Sequence, residues 1–246
     1  MPLEDFVLAV LIFVTALLFS SVGHAGASGY LAAMALAGVS SAVMKPTALM
    51  LNILVAVIAS VKYYRAGAFS WRLFWPFALA SIPFAYLGGT LTLPGQIYKP
   101  LVGSVLIYAA WYSFRTAHRP AHAIAARPNL SILLAAGAAI GFLSGLTGVG
   151  GGIFLSPLLL FFRWTEVRVI SGIAAAFILV NSAAGLLGVI TIAPALPSAL
   201  PYWAVAAFTG GFIGAEYGSK RLGNPTIQKI LAVVLVIAGV KMITTA

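Results

Sequence analysis

Two glycine-rich segments hold the residue types best suited to chemistry in this chain. The first is Ser21-Val-Gly-His-Ala-Gly-Ala-Ser-Gly29 and the second is Gly145-Leu-Thr-Gly-Val-Gly-Gly-Gly152. Both interrupt apolar stretches. The second is followed by a short apolar run, Ile153 to Phe162, before Arg163. A helix of that length rises only about 15 Å, half of a membrane's hydrocarbon core. Backbone that leaves the helix at membrane depth must be satisfied by protein or must line a water-filled cavity. Glycine lets the chain turn there and lets a ligand approach the main chain. A helix that begins just after such a break aims free N–H groups and its positive end at the cavity. The chemistry that this combination suits is the binding of a small anion.

The candidate binding residues are therefore His24, Gly26 and Ser28 in the first break, and Thr147, Gly148, Gly150 and Gly151 in the second. Ser28, Thr147 and His24 would add side-chain donors. His24 is the one histidine outside the segment Arg115–Asn129. It either serves the anion or a coupled proton, or is a hydrogen-bonded packing residue. Asn52 and Asn181 are amides within apolar stretches, where they line a pathway or bond between helices. Close helix packing by small residues is the competing explanation of the glycines. Two breaks in matching halves, each ahead of a short helix, favour the site. Lys45 precedes Pro46 and is expected to anchor a helix end by snorkelling rather than to draw anions into an outer vestibule. Glu216 lies in an apolar run near Lys220, which predicts a salt bridge at the inner surface, with proton coupling as the second reading.

Other chemistries lack their residues. There is no cysteine, and the acids are Glu4, Asp5, Glu166 and Glu216, none of them in a break. No catalytic constellation, metal site or cofactor motif is formed from this set, and the chain does not read as an enzyme. The run Gly148-Val-Gly-Gly-Gly152 lacks the Gly-Lys-Ser/Thr ending of a phosphate-binding loop, which excludes nucleotide. Any pumping must then draw on an ion gradient or on the substrate's own gradient.

The elements that position these residues must be membrane helices. The 246 residues are 62% hydrophobic and 7% charged. A soluble domain carries about 25% charged residues, so this chain needs lipid as its solvent. The net charge of +10 is dispersed in short gaps between apolar stretches, which marks membrane orientation and argues against nucleic acid as a partner. The acidic start reads as part of a retained helix, not of a cleaved signal peptide. The expected elements are Phe6–Ser21, Tyr30–Val43, Pro46–Val61, Leu73–Leu93 and Pro100–Phe114. After a basic cytoplasmic linker, Arg115–Asn129, come Leu130–Ser144, Ile153–Phe162, Ile170–Ile192, Pro201–Tyr217 and Ile227–Val240. Residues 1–114 and 130–246 thus form two halves of five elements. Ser20–Leu31 aligns with Ser144–Leu155, and Gly95–Leu101 with Pro225–Leu231.

With the N-terminus outside, the inward loops hold Lys62, Arg65 and Arg72; Arg115, Arg119 and Arg127; Arg163 and Arg168; and Lys220 and Arg221 with Lys229 beyond. Only Lys45, Lys99 and Lys241 fall outside, so the positive-inside rule selects this orientation. Five elements is an odd number, so the second half enters from the opposite side. The fold class expected is all-α and polytopic: two inverted repeats with broken or re-entrant helices. Ten spans and eight spans plus re-entrant pairs both satisfy this parity.

The segment Gly141-Phe-Leu-Ser-Gly-Leu-Thr-Gly-Val-Gly-Gly-Gly-Ile-Phe-Leu-Ser-Pro157, with its degenerate copy in the first half, resembles the TauE/SafE sulfite exporter family. The copy departs from it with His24 in place of Gly148 and Ala27 in place of Gly151. The resemblance implies a transporter of the bacterial inner membrane whose substrate is sulfite, a sulfonate or a similar small anion, by alternating access and with proton coupling as one option. A passive anion channel and a structural membrane subunit are the alternatives.

Overall fold

The computed structural model describes residues 3–116, 129–191, 196–220 and 225–245. Among these residues the structure is all-helical. Ten α-helices run in order: α1 (Leu3–Ser20), α2 (Ala27–Leu36), α3 (Ser41–Arg65), α4 (Trp71–Thr90), α5 (Gly95–Thr116), α6 (Leu130–Thr147), α7 (Gly152–Phe161), α8 (Val167–Ile190), α9 (Leu200–Lys220) and α10 (Pro225–Thr244). Five of them, α1, α3, α4, α6 and α8, are long and apolar enough to cross a membrane. The short helices α2 and α7 have 10 residues each. The expected linker lies largely outside the described residues, as does Arg221.

Local signals account for the helix ends. Glu4 and Asp5 occupy the first turn of α1, where the dipole favours acids. The Asn129 side chain accepts from the Ser131 N–H at 3.2 Å and opens α6. The largest departure from expectation is between α2 and α3. The second element was expected to run to Val43 and the third to start at Pro46. Instead α2 stops at Leu36 and α3 starts at Ser41. Gly38, with φ 75°, closes α2 in a Schellman motif: its N–H bonds Ala35 O at 3.1 Å, and the Val39 N–H bonds Met34 O at 3.0 Å. Pro46 then lies inside α3 instead of starting it.

Backbones pack at very short range. Gly137, Gly141 and Gly145 recur every four residues on α6 and face α4. A Cβ on each would lie 2.6, 2.3 and 2.0 Å from the carbonyl oxygens of Phe77, Ser81 and Ala85. Gly210, Gly214 and Gly218 make the same stripe on α9 against α1, at 2.3, 2.1 and 2.1 Å from those of Phe13, Leu17 and Ser21. Lipid gives no hydrophobic drive for helices to associate, so this closeness, through van der Waals contact, is what holds the pairs. Helix α5 packs on α10, and α3 packs on both α8 and α9. Large apolar side chains such as Leu79, Leu187 and Val205 remain exposed on the outside, as a lipid-facing surface requires.

Candidate functional site

The first break is the turn between α1 and α2. It leaves α1 through Gly23, φ 79°, with the His24 N–H bonded to Phe19 O at 2.9 Å. It then packs on α8, where Ser171 donates to Val22 O at 3.1 Å. The Tyr63 hydroxyl of α3 donates to Ser21 O at 3.2 Å. The half-buried imidazole of His24 spans to the other half of the molecule. Its Nδ1 lies 3.3 Å from Val22 O and its Nε2 3.2 Å from Ser156 Oγ on α7. A carbonyl only accepts, so Nδ1 carries the hydrogen in this arrangement and Nε2 accepts from the Ser156 hydroxyl.

The second break joins α6 to α7. Gly148, Gly150 and Gly151 all adopt left-handed backbone, φ 81°, 83° and 81°. One face of α3 lies along it. Asn52 donates to Ser182 Oγ of α8 at 3.1 Å and lies 3.5 Å from Val149 O. A Cβ on Gly150 would sit 2.4 Å from Asn52 Nδ2 and 3.0 Å from Ser182 Oγ. Two turns earlier on α3 is Lys45, whose Cγ would be 3.2 Å from a Cβ on Gly148. The Tyr98 hydroxyl of α5 holds Thr147 O at 3.0 Å.

Both breaks free the same stretch of main chain. The N–H groups of Ala25 to Gly29 are not paired to any backbone carbonyl, and neither are those of Val149 to Ile153. These runs coincide when Ser20–Leu31 is laid over Ser144–Leu155. Beside the second run, the buried Asn52 Oδ1 and Ser144 Oγ have no hydrogen-bond partner, and on α8 the buried Asn181 Oδ1 has none either.

The candidate residues are only partly brought together. Asn52 and Gly150 meet directly. Gly151 instead packs against Phe177, Ile140 and Ser144. Thr147 turns its hydroxyl back to Leu143 O at 2.7 Å, and Asn181 donates to Phe177 O at 2.8 Å, so both donors are used within their own helices. Gly26 faces the Tyr30 ring, whose hydroxyl bonds Ala25 O at 2.7 Å, and Ser28 is buried in the first turn of α2. The breaks are also not level. The first touches α8 at Ser171 and the second at Ile178 and Ser182, about 10–16 Å further along. His24 and Ser156 bridge the stagger.

Lys45 meets its expectation only in part: it does serve a helix end, that of α4. It does not snorkel: it is 8% exposed, and its ammonium donates to Gly88 O, Gly89 O and Leu91 O at 3.1, 3.0 and 3.0 Å, at the end of α4. Ser156, Ser182, Tyr63 and Tyr98 escaped the sequence reading, because single hydroxyls in apolar helices carry no pattern. Glu216 is ion-paired with Lys220 as expected, and also with Lys62 of α3.

Residues 8–242 match the family described as sulfite exporter TauE/SafE. The chain belongs to the TauE/SafE family. One relative, the probable membrane transporter protein y4hK of Sinorhizobium fredii, is 42% identical over 99% of this chain and 100% of its own length. Another, the probable membrane transporter protein MJ0441 of Methanocaldococcus jannaschii, is 28% identical over 59% of this chain and 55% of its own. No solved structure matches. This TauE/SafE member is a multi-pass membrane transporter, not an enzyme.

Proposed function

We propose that this chain is a secondary transporter that carries sulfite, a sulfonate or a similar small anion across the bacterial inner membrane. The observation that carries the reading is the second break: five consecutive N–H groups, Val149 to Ile153, not paired to any backbone carbonyl, beside the amide of Asn52 in a segment lined by three left-handed glycines. Backbone N–H groups at the start of α7 suit an oxyanion, and the family's description supplies the sulfur chemistry.

Two inverted repeats of five helices, α1–α5 and α6–α10, are part of the proposal, with residues 115–129 as the cytoplasmic linker between them. Matching helix lengths support it: 18 and 18, 10 and 10, 25 and 24, 20 and 21, 22 and 20 residues. The packing supports it too, since α4 on α6 and α1 on α9 exchange when each helix is swapped for its counterpart. The short helices α2 and α7 then dip part-way in and return. Basic residues at the α3–α4 and α7–α8 turns and at the end of α9 support an orientation with the N-terminus outside. Alternating access rocks one repeat against the other about the breaks. Proton coupling, where present, falls to His24, which bridges the first break to α7.

The test is uptake of labelled sulfite into proteoliposomes, with and without a proton gradient, against sulfate and taurine as competitors. Saturable flux that unlabelled sulfite blocks is the expected result. Unsaturable flux would identify a passive channel instead. No flux above empty liposomes from folded protein would remove sulfite as the substrate.

A further inference from the structure

We infer that the ammonium of Lys45 is the counter-charge for the transported anion at the second break, and that it trades a carbonyl of α4 for that anion. The inference rests on the anion site proposed above and names its charged ligand. Lys45 is the one buried basic side chain among those whose burial is described, a set that leaves out Lys229. The ion pairs found there join Glu216 to Lys62 and Lys220, so no carboxylate neutralises Lys45. It lies on the same face of α3 as Asn52, which is seven residues on, and both touch the second break: Lys45 with its Cγ and main chain at Gly148, from where its stem runs to the α4 carbonyls, and Asn52 with its amide at Val149 and Gly150.

Helix capping alone does not explain the burial. Arg168, in the first turn of α8, serves the end of α9 in the way Lys45 serves the end of α4. It donates to Ser219 O at 3.3 Å and to Ala66 O at 3.0 Å while exposed. An exposed cation therefore suffices to cap a helix end here. Burying an ammonium carries a desolvation penalty that water does not impose, and it is tolerated when hydrogen bonds and a compensating charge offset it. The three ammonium hydrogens already meet three carbonyls. An arriving oxyanion must take the place of one of them. Leu91 O, the partly exposed acceptor of the three, is the one released. Occupancy of the second break is thereby tied to the end of α4, and the substrate class is an oxyanion that accepts from an ammonium and from main-chain N–H groups together.

The experiment measures sulfite and chloride binding, by anion-dependent thermal shift and by flux, for the wild type, Lys45→Gln, Lys45→Arg and, as a capping control, Arg168→Gln. Loss of a charged hydrogen bond to a ligand weakens binding about tenfold or more. Lys45→Gln is expected to raise the KM for sulfite by at least about tenfold, while Arg168→Gln leaves KM unchanged. If Lys45→Gln lowers stability but keeps the sulfite KM, the residue is only a cap and the inference falls. If Lys45→Gln does not fold, Lys45→Arg decides. A guanidinium fork prefers oxyanions to spherical halides, so the sulfite-to-chloride preference should rise, and an unchanged preference overturns the inference. If the wild type binds none of sulfite, sulfate, taurine or chloride, the anion site itself is wrong and Lys45 falls with it.

Discussion

The two breaks free the same five N–H groups but surround them differently. The first contains an imidazole and packs around the Tyr30 ring; the second is lined by glycines and faces Asn52, Ser182 and the stem of Lys45, whose buried ammonium reaches the end of α4. A charge fixed in a helix end is well placed to attract an anion, whereas a histidine that bridges to Ser156 is well placed to report on the relative position of two segments. One backbone device thus occurs twice in the chain, with different side chains from neighbouring helices around each copy.

The sharpest way to break this comparison is to fill equivalent positions. Gly150→Leu is expected to abolish flux, by at least about 100-fold, because its Cβ would meet the Asn52 amide at 2.4 Å and its backbone is left-handed. The equivalent Gly26→Leu has left-handed backbone as well, φ 110°, and meets the Tyr30 ring at 2.8 Å; it should cost less flux because it leaves Asn52 and the second run of N–H groups in place. Flux assays on variants shown to insert test this ranking, and equal losses would erase the division of labour. Asn52→Asp comes next. A carboxylate beside the unpaired N–H groups repels the anion, and KM should rise about tenfold or more with little change in folded yield.

The stripes at the helix crossings offer a contrast of another kind. Gly141→Val and Gly214→Val push apart α4–α6 and α1–α9, and each should cost about 1–3 kcal/mol by overpacking, seen as a lower melting temperature with KM unchanged. His24→Gln keeps a hydrogen-bonding side chain without the titration. Flux should fall by only about threefold, but any pH dependence of wild-type flux between pH 5 and 8 should flatten. A pH profile identical to wild type would leave His24 as a packing residue. Glu216→Gln is expected to do least, because its partners are partly exposed, solvent-screened pairs. A melting curve should barely move.

The order of elements was legible from charge and Gly/Pro punctuation, since a membrane helix must be a long apolar run. The boundary at Gly38 was equally legible as a C-terminal glycine, but Pro46 drew the eye as a stronger stop. Proline interrupts a helix less decisively than expected when the helix continues around it, as α3 does. Of the candidate site, the glycines and Asn52 were readable because composition and isolation mark them. Thr147 and Asn181 are candidates on the same grounds, but the sequence does not show that a hydroxyl or amide in a helix also satisfies itself on a carbonyl one turn back, as both do here.

What the residues alone determined is the solvent, the helical class and the two places where backbone must leave the helix. Each follows from local or summed properties: apolar length, charge content, and the φ that only glycine adopts cheaply. Tertiary structure decided which groups face those places. Asn52 meets Ser182, His24 meets Ser156 and Lys45 reaches the end of α4 across 130, 132 and about 45 residues of chain. No periodicity encodes such meetings, because they depend on which helix ridges pack together and at what depth.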